Sequence, residues 1–245
     1  MSSAISVTEP IVFRWQPAEI IAIAPVTPWV KSFRLRCDLA HNYRAGQHVD
    51  VRLTAEDGYQ AQRSYSIASV QDGSGTLELM VEALPDGEVS GWFSLCAEVG
   101  DRVELRGPIG GSFSWDGSDG GPLLLAAGGS GVVPLLAMLR RRVQAWPEIP
   151  AALIYSVRTR QEAIALPELE RLDREGAGFD LHLATTRETG GRRIDAALVA
   201  GALLRLGRPE KVFICGSNRF VGAASDLIVA AGIAPGVIRT ERFGG

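Results

Sequence analysis

The first half of the chain alternates apolar and polar residues with a period of two. Three segments show this pattern: 32–37, 48–53 and 102–106. Alternation with a single apolar face is typical of half-buried antiparallel strands. Turn-forming pairs such as Asp57-Gly58 and Asp86-Gly87 separate the segments. Several short strands at this spacing predict a closed β-barrel, with one short helix over residues 89–96.

The second half changes to an alternation of strand and helix. Five continuous apolar segments are predicted to be strands: 123–127, 151–157, 179–184, 212–215 and 237–240. Amphipathic helical patterns lie between them, over 132–143, 166–174, 196–206 and 219–231. This order predicts an α/β domain built on a doubly wound parallel sheet. The glycine- and serine-rich stretch 110–122 separates the two halves, so we predict two domains, residues 1–118 and 119–245.

Composition narrows the class of protein. The chain has 245 residues, 46% hydrophobic and 22% charged, which is typical of a globular protein. A formal net charge of −3 argues against a nucleic-acid partner, since such proteins usually carry a basic surplus. Residues 1–10 show no basic, apolar leader, and glycines and Pro134 interrupt the apolar stretch 122–139. We therefore expect a cytoplasmic protein without membrane contact, and we interpret it as a monomer.

The cysteines and histidines form no metal-ligand pattern. The three cysteines are widely spaced and include no Cys-x-x-Cys pair: Cys37, Cys96 and Cys215. This spacing excludes a structural zinc site and a [2Fe–2S] centre, which needs about four ligands, so we predict no metal. The three histidines are scattered over different segments, and we interpret them as structural: His41, His48 and His182.

A glycine turn follows the first strand of the second half. Gly129-Ser130-Gly131 lies between that strand and the next helix, with Pro134 in the first helical turn. Free N–H groups and the helix dipole make such a turn an anion site. Proline is tolerated in the first helical turn because the backbone N–H that it lacks would have no partner within the helix there. The alternative is a glycine-rich turn that binds no ligand.

Arginines and hydroxyl groups follow the next two strands. Ser156 and Arg158 end one of them, and Thr186 and Arg187 end the other. A guanidinium group can hold the 2′-phosphate of NADP through two hydrogen bonds, whereas NAD sites usually present a carboxylate to the ribose. The pattern therefore favours NADP over NAD, and the alternative is a solvated basic rim.

Arg63-Ser64-Tyr65-Ser66 carries the candidate chemistry of the first half. In a regular strand Arg63 and Tyr65 point to one side, and Ser64 and Ser66 point to the other. Arginine can pair with a pyrophosphate, tyrosine can lie on a planar ring, and serine can hydrogen-bond a ring nitrogen. The alternative is an ordinary barrel strand with exposed polar residues.

Five motifs occur in an order that resembles the ferredoxin–NADP reductase family. They are Arg-x-Tyr-Ser at 63–66, Gly-x-x-Ser at 87–90, Gly-x-Gly-x-x-Pro at 129–134, Cys-Gly at 215–216 and Glu-x-Phe at 241–243. The resemblance extends over roughly residues 15–243. It implies a six-stranded antiparallel FAD-binding barrel followed by an NAD(P)-binding α/β domain.

The resemblance also implies roles for residues of the barrel. Arg63 would contact the FAD pyrophosphate, Tyr65 would pack on the isoalloxazine with Ser64 beside it, and Ser66 would act near flavin N5. Two further segments would complete the FAD site: Met80, Val81 and Glu82, and then Gly87, Val89 and Ser90.

The resemblance implies further roles for residues near the C-terminus. Cys215, with Gly216, would stand beside the nicotinamide C4, and a small buried cysteine is the alternative. Glu241 would supply protons. Phe243 would stack on the flavin, and its gating role stays open because two glycines follow it. Ser66, Cys215 and Glu241 are the candidate catalytic residues.

The predicted function is that of a flavoprotein oxidoreductase. Hydride would pass from NADPH, or NADH, to FAD, and electrons would then pass to a separate acceptor such as a ferredoxin, flavodoxin or oxygenase component. The residues of this chain cannot hold an iron–sulfur cluster, which favours a separate acceptor. The alternatives are a free-flavin or ferric-chelate reductase and a non-catalytic flavin-binding sensor.

Overall fold

The protein was analysed as a computed structural model that describes residues 14–176 and 178–243. Residues 1–10, considered above for a leader, and the two glycines after Phe243 lie outside the described residues.

Six antiparallel strands form the N-terminal domain. They are β1 (Gln16–Thr27), β2 (Val30–Arg36), β3 (His48–Thr54), β4 (Gln60–Ser66), β5 (Thr76–Glu82) and β6 (Arg102–Ile109). Their order in the sheet is β4-β3-β6-β1-β2-β5. A bridge between Ile67 and Leu79 closes the sheet, and beside it the N–H of Ala68 donates to the carbonyl of Glu78 at 2.8 Å. The predicted six-stranded barrel is confirmed.

The apolar face of each barrel strand points inward. Phe33 and Leu35 of β2 and Val49 and Val51 of β3 are fully buried, while their neighbours in sequence are more exposed. Helix α1 (Glu88–Leu95) adds Phe93, whose ring lies 4.7 Å from that of Phe33 in an edge-to-face contact. Burying each of these side chains contributes about 1.5–3 kcal/mol to stability. This gain explains why the period-two pattern determines the fold of the N-terminal domain.

Five parallel strands form the second domain. They are β7 (Leu123–Gly128), β8 (Ala151–Val157), β9 (Phe179–Thr185), β10 (Lys211–Gly216) and β11 (Ile238–Arg242), in the order β11-β10-β7-β8-β9. Four helices cover them: α2 (Val132–Ala145), α3 (Leu166–Glu175), α4 (Ala196–Leu206) and α5 (Asn218–Ala230). Helices α2 and α3 pack on one face, and α4 and α5 on the other, as a doubly wound sheet requires. Within the described residues no helix has the length and apolarity to cross a membrane.

The segment between β6 and β7 is held in place. Trp115 is fully buried, forms a bridge with Ala45 of the barrel, and donates its indole N–H to the carbonyl of Gly120 at 3.0 Å. The domain boundary after residue 118 stays a prediction; it falls within a single 3-10 turn, Gly117–Asp119.

Helix α2 lies between the parallel sheet and the barrel. Its buried side chains share one apolar cluster with Val30, Ala68 and Met80 of the barrel and with Leu125 of β7. The two domains therefore pack on a common core. This packing sets the ends of β4 and β5 opposite the glycine turn that follows β7.

Candidate functional site

A cleft of about 1010 Å³ runs between the two domains. On the barrel side it is lined by the ends of β4 and β5 and the start of α1. On the other side it is lined by the segments that follow β7, β8, β9 and β10 and by the end of β11 with Phe243. These segments lie at the carboxyl ends of parallel strands, where open α/β sheets bind their ligands.

The end of β4 supplies one wall of the cleft. Arg63, Ser64, Tyr65 and Ser66 all line it. Tyr65 packs edge-on against Phe93 of α1, with ring centroids 5.8 Å apart, and burial raises its pKa to about 12 although the charge of Arg63 opposes the shift. The phenol therefore stays neutral and provides a flat apolar surface.

Ser66 presents an unsatisfied hydroxyl to the cleft. The residue is 6% exposed, and its Oγ is buried without a hydrogen-bond partner among the described residues. An unpaired buried polar group costs about 1–3 kcal/mol, so a hydroxyl in this state marks a position for a ligand atom that donates or accepts a hydrogen bond.

The end of β5 divides its side chains between cleft and core. Met80 and Glu82 line the cleft, whereas Val81 is 3% exposed and packs inside the barrel. Successive side chains of a strand point to opposite faces, so Val81 can reach a ligand only through its backbone. Gly87, Val89 and Ser90 at the start of α1 also line the cleft.

The glycine turn after β7 brings two backbone segments very close together. Gly129 has φ +57°, the left-handed region that favours glycine. A Cβ on Gly131 would lie 2.3 Å from the carbonyl oxygen of Cys215, so only glycine fits there. Gly129 and Ser130 line the cleft, while Gly131 and Pro134 are buried behind them at the start of α2. The turn leads directly into the N-terminus of α2, and its role as an anion site stays a prediction.

Basic side chains line the cleft on the side of the parallel sheet. Ser156, Arg158 and Thr186 line it as expected, whereas Arg187 does not, although its backbone N–H donates to the carbonyl of Arg158 at 2.9 Å. Arginines outnumber carboxylates around the whole cleft. The arginines are Arg63, Arg158, Arg193, Arg219 and Arg242, and the carboxylates are Glu82 and Glu162.

Cys215 lies just behind the cleft. It is fully buried, and burial, reinforced by the charge of Glu241, raises the pKa of its thiol. The thiol therefore stays protonated and cannot serve as a nucleophile at neutral pH. Gly216 and Phe243 do line the cleft, and the backbone N–H of Phe243 donates to the carbonyl of Gly216 at 3.0 Å, which fixes the aromatic residue beside the turn.

Glu241, a predicted catalytic residue, does not line the cleft, and neither does His48, which lies beside it. Nδ1 of His48 lies 3.6 Å from Oε1 of Glu241, and His48 pairs with Ser66 across β3 and β4. The residues are distant in sequence, so no local motif connects them.

Comparison with known sequences assigns the two halves separately. Residues 17–115 match the family described as "Oxidoreductase FAD-binding domain", and residues 125–226 match "Oxidoreductase NAD-binding domain". Methane monooxygenase component C of Methylosinus trichosporium is 34% identical over 192 residues, which are 76% of this chain and 55% of that protein. Ferredoxin–NADP reductase B of Sorangium cellulosum is 32% identical over 86% of this chain and 89% of its own length.

The fold is also found in solved structures. The Amycolatopsis cytochrome P450 reductase GcoB superposes with a TM-score of 0.79 at 25% identity, over 98% of this chain and 73% of that one. The chain spans only 55 to 62% of the length of several curated relatives that it matches, among them oxygenase reductase components.

Proposed function

The chain belongs to the family of FAD- and NAD(P)-binding oxidoreductases that includes ferredoxin–NADP reductases, and we propose that it oxidises NADPH, or NADH, through FAD and passes electrons to a separate acceptor. The observation that carries this proposal is the single cleft shared by the two domains. A ligand in contact with β4 and a ligand on the turn after β7 would enter the same space. Two cofactors that exchange a hydride need such an arrangement.

The barrel side of the cleft fits FAD. Arg63 and the start of α1 would hold the pyrophosphate, Tyr65 would pack against the ring system, and the unpaired Oγ of Ser66 would hydrogen-bond a ring heteroatom. Met80 and Glu82 would contact the rest of the cofactor. When bound, FAD accepts a hydride and releases electrons one at a time, which nicotinamide does not readily do.

The other side fits a pyridine nucleotide. The turn Gly129-Ser130 would hold its pyrophosphate against the N-terminus of α2. Arg158 and Arg193 would bind the 2′-phosphate, which favours NADPH over NADH. Gly216 and Phe243 would border the nicotinamide, and Cys215 behind them would shape the pocket as a small neutral group.

The acceptor is proposed from the relatives and from composition. Several relatives are reductase or electron-transfer components of oxygenase systems. The three cysteines of this chain are too few for the about four ligands of an iron–sulfur cluster. We therefore propose that a ferredoxin, a flavodoxin or an oxygenase component takes up the electrons. We also propose that the protein acts in the cytoplasm as a monomer.

An anaerobic absorbance titration tests the proposal. The purified protein is expected to bind FAD and to lose the oxidised-flavin bands rapidly on addition of NADPH and more slowly with NADH. Equal bleaching by the two nucleotides would remove the preference for NADPH. Failure to bind FAD, or a bound flavin that neither nucleotide reduces, would refute the proposed function. Ferricyanide as a one-electron acceptor and free riboflavin as a two-electron acceptor then separate electron transfer from free-flavin reduction.

A pair of matched variants tests the nucleotide site. Arg193→Ala should weaken NADPH binding by roughly tenfold or more and leave NADH binding little changed, because one charge-assisted contact contributes about 1.5–3 kcal/mol. Arg187→Ala is the control, since that residue does not line the cleft. If Arg187→Ala has the larger effect, the assignment of the 2′-phosphate to Arg193 is wrong.

A further inference from the structure

Two large apolar side chains are exposed inside the cleft. Trp29, in the turn between β1 and β2, is 61% exposed, and Leu84, in the segment between β5 and α1, is 56% exposed. Both line the cleft on the barrel side. The other exposed large apolar side chains in the described part of the chain lie outside the cleft. Tryptophan is usually well buried, so an indole that is more than half exposed within a cleft offers a surface for a ligand.

Hydrogen bonds hold the backbone of both residues in place. The carbonyl of Trp29 accepts from the N–H of Ala83 at 2.8 Å, and the N–H of Trp29 donates to Oγ1 of Thr27 at 3.3 Å. The N–H of Leu84 donates to Oγ of Ser90, in the first turn of α1, at 3.4 Å. Trp29 and Leu84 are therefore fixed next to the segment proposed to hold the FAD pyrophosphate.

The charges at this end of the cleft suit a nucleoside better than a phosphate. Glu82 lines the cleft and pairs across β5 and β2 with Val30, the residue that follows Trp29. Its carboxylate repels a phosphate but can accept hydrogen bonds from ribose hydroxyls. Among the described barrel residues that line the cleft, Arg63 is the one arginine, and it lies on β4.

The order of the proposed FAD contacts assigns the adenosine to this end. The ring system is proposed to lie at Tyr65, the pyrophosphate lies between Arg63 and the start of α1, and the adenosine follows the pyrophosphate in FAD. On the other side of the start of α1 lies Tyr59, which is 57% exposed and donates its hydroxyl to Glu88 at 2.8 Å. Tyr59 does not line the cleft, which favours the direction towards Trp29.

We propose that Trp29 stacks on the adenine of FAD and thereby selects FAD over FMN. The proposal rests on the function given above. Leu84 extends the apolar surface under the purine, and Glu82 accepts from the ribose hydroxyls. FMN ends at its phosphate and has no adenosine, so it can make none of these contacts. Loss of stacking between a base and an aromatic side chain weakens binding by roughly 5- to 150-fold.

Calorimetric titration of the flavin-free, full-length protein with FAD and with FMN tests the proposal. Trp29→Leu should weaken FAD binding by roughly tenfold or more and leave FMN binding unchanged, because only FAD carries the base. Trp29→Phe keeps an aromatic ring and should retain most of the affinity for FAD. Equal weakening of FAD and FMN, or no weakening of either, would overturn the proposal.

Two comparisons exclude other assignments of the indole. Tyr59→Leu removes the exposed aromatic residue on the other side of α1 and should leave the preference for FAD intact. A larger selective loss of FAD affinity in Tyr59→Leu than in Trp29→Leu would contradict the proposed direction of the adenosine. A loss of NADP⁺ affinity in Trp29→Leu, with FAD binding unchanged, would assign Trp29 to the pyridine nucleotide and overturn the proposal.

A second readout measures the indole directly. N-bromosuccinimide oxidises exposed tryptophans, and peptide mass spectrometry locates the oxidation at Trp29, which is 61% exposed. Saturating FAD should protect Trp29 from oxidation, whereas saturating FMN should not. Equal protection by the two flavins, or protection by neither, would refute the contact with adenine.

These measurements distinguish the two proposals. A protein that prefers FAD, loses this preference in Trp29→Leu and is reduced by neither NADPH nor NADH refutes the proposed function and supports the role of Trp29. A protein that binds FAD and is reduced normally, with unaltered FAD affinity in Trp29→Leu, refutes only the role of Trp29.

Discussion

Replacing Arg140 with methionine should destabilise the protein more than any exposed arginine replacement. Arg140 extends from α2 and pairs with two carboxylates on different elements. Its Nε and Nη2 donate to Glu168 of α3 at 2.9 and 2.7 Å, and its Nη1 donates to Glu78 of β5 at 2.6 Å and to the carbonyl of Ala68 at 3.0 Å. One guanidinium therefore connects the barrel to the nucleotide domain.

The magnitude follows from the burial of the three charges. Arg140, Glu78 and Glu168 expose 23%, 17% and 27% of their side chains. Burial by itself lowers the pKa of Arg140, but the two carboxylates outweigh it and the pKa is raised, so the guanidinium stays charged. Removing one partner of a buried pair costs about 3–5 kcal/mol, and we reduce this to about 2–4 kcal/mol for the residual exposure.

Urea unfolding followed by tryptophan fluorescence measures the loss. Arg140→Met should lower the unfolding free energy by about 2–4 kcal/mol, and Tm should fall by about 2–4 °C for each kcal/mol in a chain of this size. Arg171→Met is the control, because Arg171 and Glu175 form a pair one turn apart on α3 with 52% of each side chain exposed, and its loss should cost below about 0.5 kcal/mol.

A third variant tests the physical reason. Most of the loss in Arg140→Met should come from two carboxylates left without a counter-charge, so adding Glu78→Gln and Glu168→Gln should restore part of the stability. If Arg140→Met costs no more than Arg171→Met, the cluster is screened by solvent and the reasoning fails. If the triple variant is less stable than Arg140→Met alone, the unpaired charges were not the cause.

Three further changes have defined outcomes. Gly131→Ala should lower the affinity for NADP⁺ and destabilise the protein by about 1–3 kcal/mol, because its Cβ would lie 2.3 Å from the carbonyl oxygen of Cys215; calorimetry that shows unchanged affinity would contradict this. Asp50→Asn should be less stable than the wild type at neutral pH, and the difference should narrow as pH falls below about 4, since a lowered carboxyl pKa stabilises only while the group is ionised beside Arg106. A Tm difference that is the same at pH 6 and pH 3 would refute that origin. Tyr155→Phe should cost about 1–3 kcal/mol in urea unfolding, because the buried phenol accepts a backbone N–H at 2.9 Å that would be left unpaired, and a loss below about 0.5 kcal/mol would show that water replaces it.

The sequence predicts the elements of the second domain nearly to the residue. The helix predicted over 219–231 runs from Asn218 to Ala230, and the strand predicted over 151–157 is Ala151–Val157. Continuous apolar strands can only be buried between two helical layers, so local pattern and global fold agree there. Strand β1 had no comparable pattern: its 12 residues include Pro17 and Pro25, and its pairing with β2 shifts register twice.

The candidate site could be predicted where a short motif determines the backbone geometry by itself. Gly129 and Gly131 are of this kind, because their own chain must turn and approach β10 closely. Contacts between residues far apart in sequence could not be predicted. The choice of Arg193 rather than Arg187 to line the cleft depends on how the loop after β9 folds back, and the approach of His48 to Glu241 depends on how the two domains dock.

That docking gives Arg140 a significance beyond stability. Its helix, α2, begins at the turn proposed to hold the nucleotide phosphates, and Glu78 lies on β5, whose last residues line the flavin side of the cleft. Loosening this connection would move the two sides of the cleft relative to each other while leaving each side locally intact. Since a misplacement of about 1 Å can cost about 10²-fold in rate, Arg140→Met should slow flavin reduction at saturating NADPH far more than it weakens FAD binding by the barrel. A folded variant that binds FAD more weakly yet is reduced at the wild-type rate would show that the domains stay aligned without the ion cluster.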